Sequence, residues 1–218
     1  RSLKLLRKME RKLRFPRKVL KLHKCRGCAV SLNLSLLSLP ETVPVSVREG
    51  FHLAEEIHSK KEVAKRLDQL AIRITSQLQD QNPIMISILH GGLYLTGQLY
   101  GRIIFPFQQG YVHVTRYGDE LAGGQLRWIG KDMPKLEGRS VLFMDDVLDE
   151  GVTLNHLKDW AFSEGAREVR TVVLSRKIVE NQEHVADYVG LESPNKFLFG
   201  CGMDLYGYGR NLPSIYGF

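Results

Sequence analysis

The stretch Val141-Leu142-Phe143-Met144-Asp145-Asp146-Val147-Leu148-Asp149-Glu150-Gly151-Val152-Thr153 decides how this chain folds. Four apolar residues, Val141 to Met144, run straight into two aspartates. A short apolar run bounded by turn signals suits a strand buried on both faces of a sheet. The acids then fall at the strand's carboxyl end, where open α/β sheets bind their ligands. Glu150-Gly151 supplies a turn, and Thr153-Leu154 opens a new apolar-periodic segment. A loop leading into a helix presents backbone N–H groups, which suit a phosphate.

An Asp-Asp pair after a strand also occurs in phosphoacceptor receiver domains and in solvated turns with helix-capping acids. Here four carboxylates, a glycine and a hydroxyl crowd into Asp145–Thr153. That density favours a ligand-binding loop over either alternative. A receiver domain would also want its pair on the first strand, and this one is mid-chain.

Working outward toward the N-terminus, Ile84–Leu89 reads as the next buried strand, followed at once by His90-Gly91-Gly92 and a helix from Leu93 to about Ile104. A glycine pair at a strand end lets the backbone approach a ligand, although tight βα turns use glycine for geometry alone. Ser59-Lys60-Lys61-Glu62 has capping-box spacing. It precedes Val63, Leu67, Leu70, Ala71, Ile74 and Leu78, a helical stripe that should cover one face of the sheet. Ser46–Glu49 has the same spacing and predicts another helix start, with a short strand over Leu53–His58. Between the glycine pair and the opening stretch, Gly110–Thr115 alternates like a strand. Arg116-Tyr117 then leads into a polar, glycine-rich segment at 118–124, and Gln125–Gly130 returns as a second strand.

Toward the C-terminus, Leu154–Ser163 reads as a helix and Val169–Leu174 as a buried strand, with Arg176-Lys177 at its carboxyl end. Strands alternating with helices imply a mostly parallel twisted sheet flanked by helices, with right-handed crossovers. The rest, from Tyr188 through Lys196-Phe197-Leu198-Phe199-Gly200, Met203-Asp204 and Arg210, gives short extended pieces broken by glycines. These predict a small hood packed on the sheet, with no further βα unit.

Composition bounds the rest. At 218 residues, 43% hydrophobic and 25% charged, the chain holds one domain with a real core. No apolar run is long enough to span a membrane. Cys25, Cys28 and Cys201 make no disulfide framework; Cys201 is expected to be a buried small hydrophobe. Residues 1–26 hold twelve of the 31 Lys and Arg and one of the 24 acids, so the remainder carries 19 basic and 23 acidic residues, a net −4. The net charge of +7 therefore describes a tail and argues for no nucleic-acid partner. Residues 1–44 are set apart as a basic extension, expected to be disordered or artefactual, with a targeting segment and a basic arm as alternatives. Its Cys25-x-x-Cys28 has no second pair to complete a metal site. Residues 45–218 form the working domain.

The 141–153 motif resembles the 5-phosphoribosyl-1-pyrophosphate (PRPP) motif of type I phosphoribosyltransferases. Lys196-Phe197-Leu198-Phe199-Gly200 and Gly207-Tyr208-Gly209-Arg210-Asn211 resemble the C-terminal motifs of bacterial hypoxanthine-guanine phosphoribosyltransferases. The resemblance covers about 45–218. It implies the type I phosphoribosyltransferase fold with a small hood, and an enzyme of purine salvage in the cytoplasm, a homodimer or homotetramer. That enzyme uses Mg2+ and PRPP to convert hypoxanthine or guanine to IMP or GMP. It implies that Asp145 and Asp146 meet the ribose hydroxyls, directly or through the metal, and that Asp149 is the general acid/base facing N7 of the purine. Asp149, Glu150, Gly151, Val152 and Thr153 would cradle the 5′-phosphate. Leu89, His90, Gly91, Gly92 and Arg210 would hold pyrophosphate, with a cis peptide bond at Leu89–His90; His90 stands where relatives carry lysine. Arg116 and Tyr117 would belong to a flap that closes over the site. Lys177 would donate to the purine O6, with Arg176 as the rival assignment. Phe197 would stack on the base, the backbone of Leu198 would meet its edge, and Asp204 would bind a second metal ion or sit near the 2-substituent. A non-catalytic regulatory protein on the same fold, sensing PRPP or nucleotide, is the alternative; Asp149, Lys177 and Asp204 together favour the enzyme.

Overall fold

The computed structural model describes residues 34, 37, 39–116, 126–179 and 185–218. Every described residue lies in the compact unit Asn33–Phe218. The basic segment with its Cys25-x-x-Cys28 lies outside the described residues, as do Tyr117 and the glycine-rich stretch after it.

The elements run α1 (Val45–Leu53), β1 (Glu55–His58), α2 (Lys60–Leu78), β2 (Ile84–Leu89), α3 (Gly92–Tyr100), β3 (Gln108–Arg116), β4 (Leu126–Asp132), β5 (Ser140–Leu148), α4 (Val152–Ser163), β6 (Glu168–Lys177), β7 (Tyr188–Ser193), β8 (Leu198–Phe199) and β9 (Ile215–Gly217). Six strands form one sheet in the order β4-β3-β2-β5-β6-β7. All its pairings are parallel except β3 with β4. β5 is therefore an interior strand, as its four-residue apolar run requires.

Strand periodicity sends alternate residues of β5 into two cores. Leu142 and Met144 join α2 and α3 on one face. Val141 and Phe143 join Leu154, Leu157 and Ala161 of α4 on the other. The stripe anticipated on α2 is buried in full, from Val63 to Leu78. The Ser59 hydroxyl accepts from the Glu62 N–H at 3.3 Å and caps that helix. Fully burying such an aliphatic side chain is worth about 1.5–3 kcal/mol, so this one helix face anchors a whole layer.

A second, three-stranded sheet, β1-β9-β8, forms the hood. Its core joins Val47, Phe51, Phe199, Leu205 and Tyr216. Leu34, only 2% exposed, belongs to that core, with Leu39 and Val43 packed against it.

Three expectations need correction. Tyr188–Ser193 is no part of the hood. It is the sixth strand of the main sheet, parallel to β6 in the register Val172↔Tyr188, with Tyr188 and Leu191 buried. Its glycine misled the reading: an added Cβ on Gly190 would sit 2.6 Å from the Leu174 carbonyl oxygen, so glycine marks close backbone packing there, not a strand break. Ser46 does not cap α1. Pro44 holds the N-cap position without a side-chain bond, because Pro fixes an extended-to-helical entry that leaves Ser46 inside the first turn. α1 also runs through Leu53, so the first strand begins at Glu55.

Candidate active site

β5 continues through Asp145 and Asp146 to Leu148, so the two acids stand within the last turns of pairing and not beyond them. Asp145 is in register with Val173 of β6, and Leu148 with Arg176. The Asp146 N–H donates to Asp145 Oδ1 at 3.0 Å, and the Val147 N–H donates to Asp146 Oδ1 at 2.7 Å. Burial raises the Asp145 carboxyl well above the usual range, and the neighbouring Asp146 raises it further, while Arg210 pulls the other way. Asp146 is raised too, mainly by burial. Two carboxyls side by side, Asp146 buried and Asp145 partly so, are an oxygen-only donor pair that a hard divalent cation would relieve. Among the described residues no three His, Cys, Asp or Glu side chains converge as a metal cage. Mg2+ commonly uses one or two carboxylates with substrate phosphates, and the pair fits that mode.

The glycine loop is shaped by these acids. The Leu89–His90 peptide bond is cis. Gly91 has an ordinary helical φ of −59, so its glycine answers space, not backbone conformation. A Cβ there would lie 2.0 Å from Asp146 Oδ2, and one on Gly92 would lie 2.2 Å from the Met144 carbonyl oxygen. Gly202 of the hood closes on the same loop, where a Cβ would come within 2.2 Å of the Gly91 carbonyl oxygen. Loop, acid pair and hood are thus packed backbone against backbone. The His90 ring meets His113 of β3 edge-on, with centroids 4.4 Å apart.

After β5, Gly151 caps α4 with φ 81, a left-handed conformation that glycine adopts readily. The first turn of α4, beginning at Val152 and Thr153, directs its N–H groups toward the Asp149-Glu150 loop. Asp149 is met by Lys177 of β6, whose Nζ donates to Asp149 Oδ2 at 2.7 Å. Arg176 instead pairs with Glu192 of β7. Alternation along β6 gives neighbouring side chains opposite faces, so only Lys177 reaches the cavity.

That cavity, about 430 Å³, is lined by Asp146, Val147, Lys177, Phe197, Leu198, Met203, Asp204 and Tyr206. It falls in the range of small-molecule sites. Phe218 stacks on Phe197 with centroids 5.4 Å apart and planes 20° apart, and Phe197 is still 48% exposed. In the hood, Arg210 binds Asp204 Oδ1 at 2.6 Å and donates to the Gly202 carbonyl at 2.6 Å. The Gly207 N–H holds the other Asp204 oxygen at 2.7 Å. Both oxygens of Asp204 are therefore engaged within the hood. Cys201 is buried, its thiol bonded to Tyr94 and pushed up by burial to about 12.

The sequence-predicted residues thus gather at one edge, from Leu89–Gly92 and Asp145–Thr153 to Lys177, Phe197, Leu198, Asp204 and Arg210. Arg116 ends β3, and Tyr117 lies outside the described residues. Sequence reading missed Val147, Met203 and Tyr206 in the cavity wall, and Gly202 against the loop. The signal for Gly202 was its place between Cys201 and Met203 in a glycine-rich run; nothing in the sequence set Val147 or Met203 apart from core residues.

Residues 54–205 match the model of the phosphoribosyl transferase domain. The chain belongs to the phosphoribosyl transferase family. This phosphoribosyltransferase domain is 32% identical, over 163 residues, to the hypoxanthine-guanine phosphoribosyltransferase of Aquifex aeolicus, covering 72% of the chain and 90% of that protein. It is 31% identical over 159 residues to the enzyme of the same name from Bacillus subtilis, covering 72% of the chain and 88% of that protein. Among solved structures, the hypoxanthine phosphoribosyltransferase of Trypanosoma cruzi superposes with a TM-score of 0.70 at 29% identity, covering 76% of the chain and 95% of that structure. The mostly parallel sheet with flanking helices and hood is thus the type I phosphoribosyltransferase fold.

Proposed function

We propose that this phosphoribosyltransferase works in purine salvage, moving the 5-phosphoribosyl group of PRPP onto hypoxanthine or guanine and releasing IMP or GMP and pyrophosphate. The observation that carries this reading is the 2.7 Å pair of Asp149 and Lys177, set beside a cavity walled by Phe197, Leu198 and Asp204 and continuous with Asp146. Relatives that bear the hypoxanthine-guanine name support it along most of their length.

The transfer breaks the bond from ribose C1 to pyrophosphate and forms one to a purine nitrogen, while the base gives up a proton. Asp149 takes the role of proton acceptor at N7, with Lys177 Nζ held against it at 2.7 Å. Lys177 Nζ then donates to O6. A 6-oxopurine offers an acceptor there, whereas adenine offers an amino donor and leaves the ammonium unmatched. Phe197 stacks on the base and the Leu198 backbone meets its edge. Asp145 and Asp146 orient the ribose hydroxyls, and the loop from Asp149 to Thr153 with the start of α4 holds the 5′-phosphate. The N–H groups of Leu89–Gly92 face the pyrophosphate, and Arg210 adds a cation. Arg116 and Tyr117 belong to the flap that excludes water. Mg2+ held by Asp145 and Asp146 would neutralise charge on the departing pyrophosphate. Asp204, in the cavity wall, would bind a second metal ion or sit near the 2-substituent of the base. The domain takes in residues 45–218 together with the hood-packed Leu34, Leu39 and Val43, works in the cytoplasm and assembles as a homodimer or homotetramer.

The test is steady-state turnover of the purified chain with Mg2+ and PRPP against hypoxanthine, guanine, xanthine and adenine. Turnover with hypoxanthine and guanine and none with adenine is expected. No turnover with any base, in protein that binds PRPP, would overturn the enzyme reading.

A further inference from the structure

Leu205–Tyr208 is a two-residue hairpin: the Leu205 N–H donates to the Tyr208 carbonyl at 2.9 Å, and the Tyr208 N–H donates back to the Leu205 carbonyl at 3.0 Å. Both central residues have positive φ, 51 at Tyr206 and 85 at Gly207. That is the signature of a type I′ turn, whose first central position prefers Asn, Asp or Gly. A bulky side chain in the left-handed region is an outlier with a conformational cost. Gly207 sits where such a turn wants glycine; Tyr206 does not. Core packing does not account for it either, since Tyr206 is 69% exposed. Tyr206 instead lines the cavity that Lys177 and Phe197 also line. The Gly207 N–H at the same turn fixes Asp204, so the turn that presents Tyr206 also sets the neighbouring wall. An unfavourable residue held in a strained turn at a cavity wall points from outlier to function.

We propose that Tyr206 is a base-binding residue that contacts the purine, its ring lying against the bound base in the Lys177–Phe197 cavity. This rests on the reading of that cavity as the purine site. The aromatic face, not the hydroxyl, makes the contact, because a flat base and a flat ring stack without needing a matched hydrogen bond.

Tyr206→Asn and Tyr206→Phe test it, because Asn is favoured in the turn and Phe keeps the ring. Steady-state constants for hypoxanthine and guanine at saturating PRPP are read beside the melting temperature. Tyr206→Asn is expected to raise KM for both bases about tenfold, the scale of one base–aromatic stack. Its kcat stays near wild type and its melting temperature does not fall. Tyr206→Phe keeps the wild-type KM. An unchanged KM in Tyr206→Asn overturns the proposal. So does a raised KM accompanied by a lower melting temperature, or a Tyr206→Phe as impaired as the Asn variant. If the wild type itself turns over no 6-oxopurine, the purine-site reading fails with it, whereas an active wild type with an indifferent Tyr206→Asn removes the Tyr206 proposal alone.

Discussion

Asp149 and Lys177 come from different strands' ends and meet as an ion pair with Lys177 largely out of solvent and Asp149 about half exposed. Such a pair prepares a proton acceptor beside a hydrogen-bond donor, the two functions a 6-oxopurine needs at N7 and O6. Asp149→Asn keeps the shape and removes the acceptor. It is expected to cut kcat by about 10²–10⁴, the usual worth of general acid–base catalysis, with KM for PRPP little changed. Equal loss in both constants would make Asp149 a binding residue. Asp145 carries a different prediction. Burial and Asp146 hold its carboxyl above the ordinary range, so the folded chain gives up that proton at higher pH than the unfolded chain does. The ligand-free fold therefore loses stability as pH rises from the ordinary carboxylate range toward the higher range in which Asp145 ionises in place. Asp145→Asn removes this loss. Melts followed by circular dichroism should place it above the wild type at pH 7, with each ~1 kcal/mol appearing as about 2–4 °C. The gain should vanish well below pH 4, where Asp145 is protonated in the folded and the unfolded chain alike.

At the scale of elements, the site depends on how closely β2's loop approaches β5. Gly92 faces backbone, and the Met144 carbonyl cannot turn aside as a flexible side chain could. Gly92→Ala is expected to destabilise the fold by about 1–3 kcal/mol, as overpacking does, and to raise KM for PRPP, because the displaced backbone carries Asp145 and Asp146. Gly97 of α3 supplies the control: an added Cβ there meets nothing within 4 Å. Gly97→Ala should leave KM alone and stabilise by up to about 1 kcal/mol through helix propensity. Thermal melts and PRPP kinetics on the two variants separate the close approach from a general intolerance of side chains.

At the scale of the molecule, the hood is a core of its own that leans on the glycine loop through Gly202. Leu34 is buried in it although the sequence around 34 reads as part of an extension. Leu34→Ala is therefore expected to cost about 2–4 kcal/mol, within the range for a buried Leu truncated to Ala, and to lower the melting temperature of the full chain. A variant that melts with the wild type would return residues 34–44 to the extension.

Local pattern was enough for the interior strands β2, β5 and β6, for the α2 stripe and for the acidic loop, because an interior strand needs an unbroken apolar run and an amphipathic helix needs its 3.6-residue stripe. The same pattern put Asp145–Thr153 at a strand end, and the motifs at 196–200 and 207–211 identified the family. Tertiary structure alone decided what depends on a partner distant in sequence. It put Lys177 in the cavity wall and paired Arg176 with Glu192, through the face each takes on β6. It moved Tyr188–Ser193 from hood to sheet, because a strand's place depends on the neighbour that completes its hydrogen bonds. It gave Gly91, Gly92 and Gly202 their reasons in atoms of Asp146, Met144 and Gly91, and it set Tyr206 in a cavity wall. A residue's own preferences are written in its neighbours along the chain, but a close approach belongs to two segments at once, and only the folded chain brings both together.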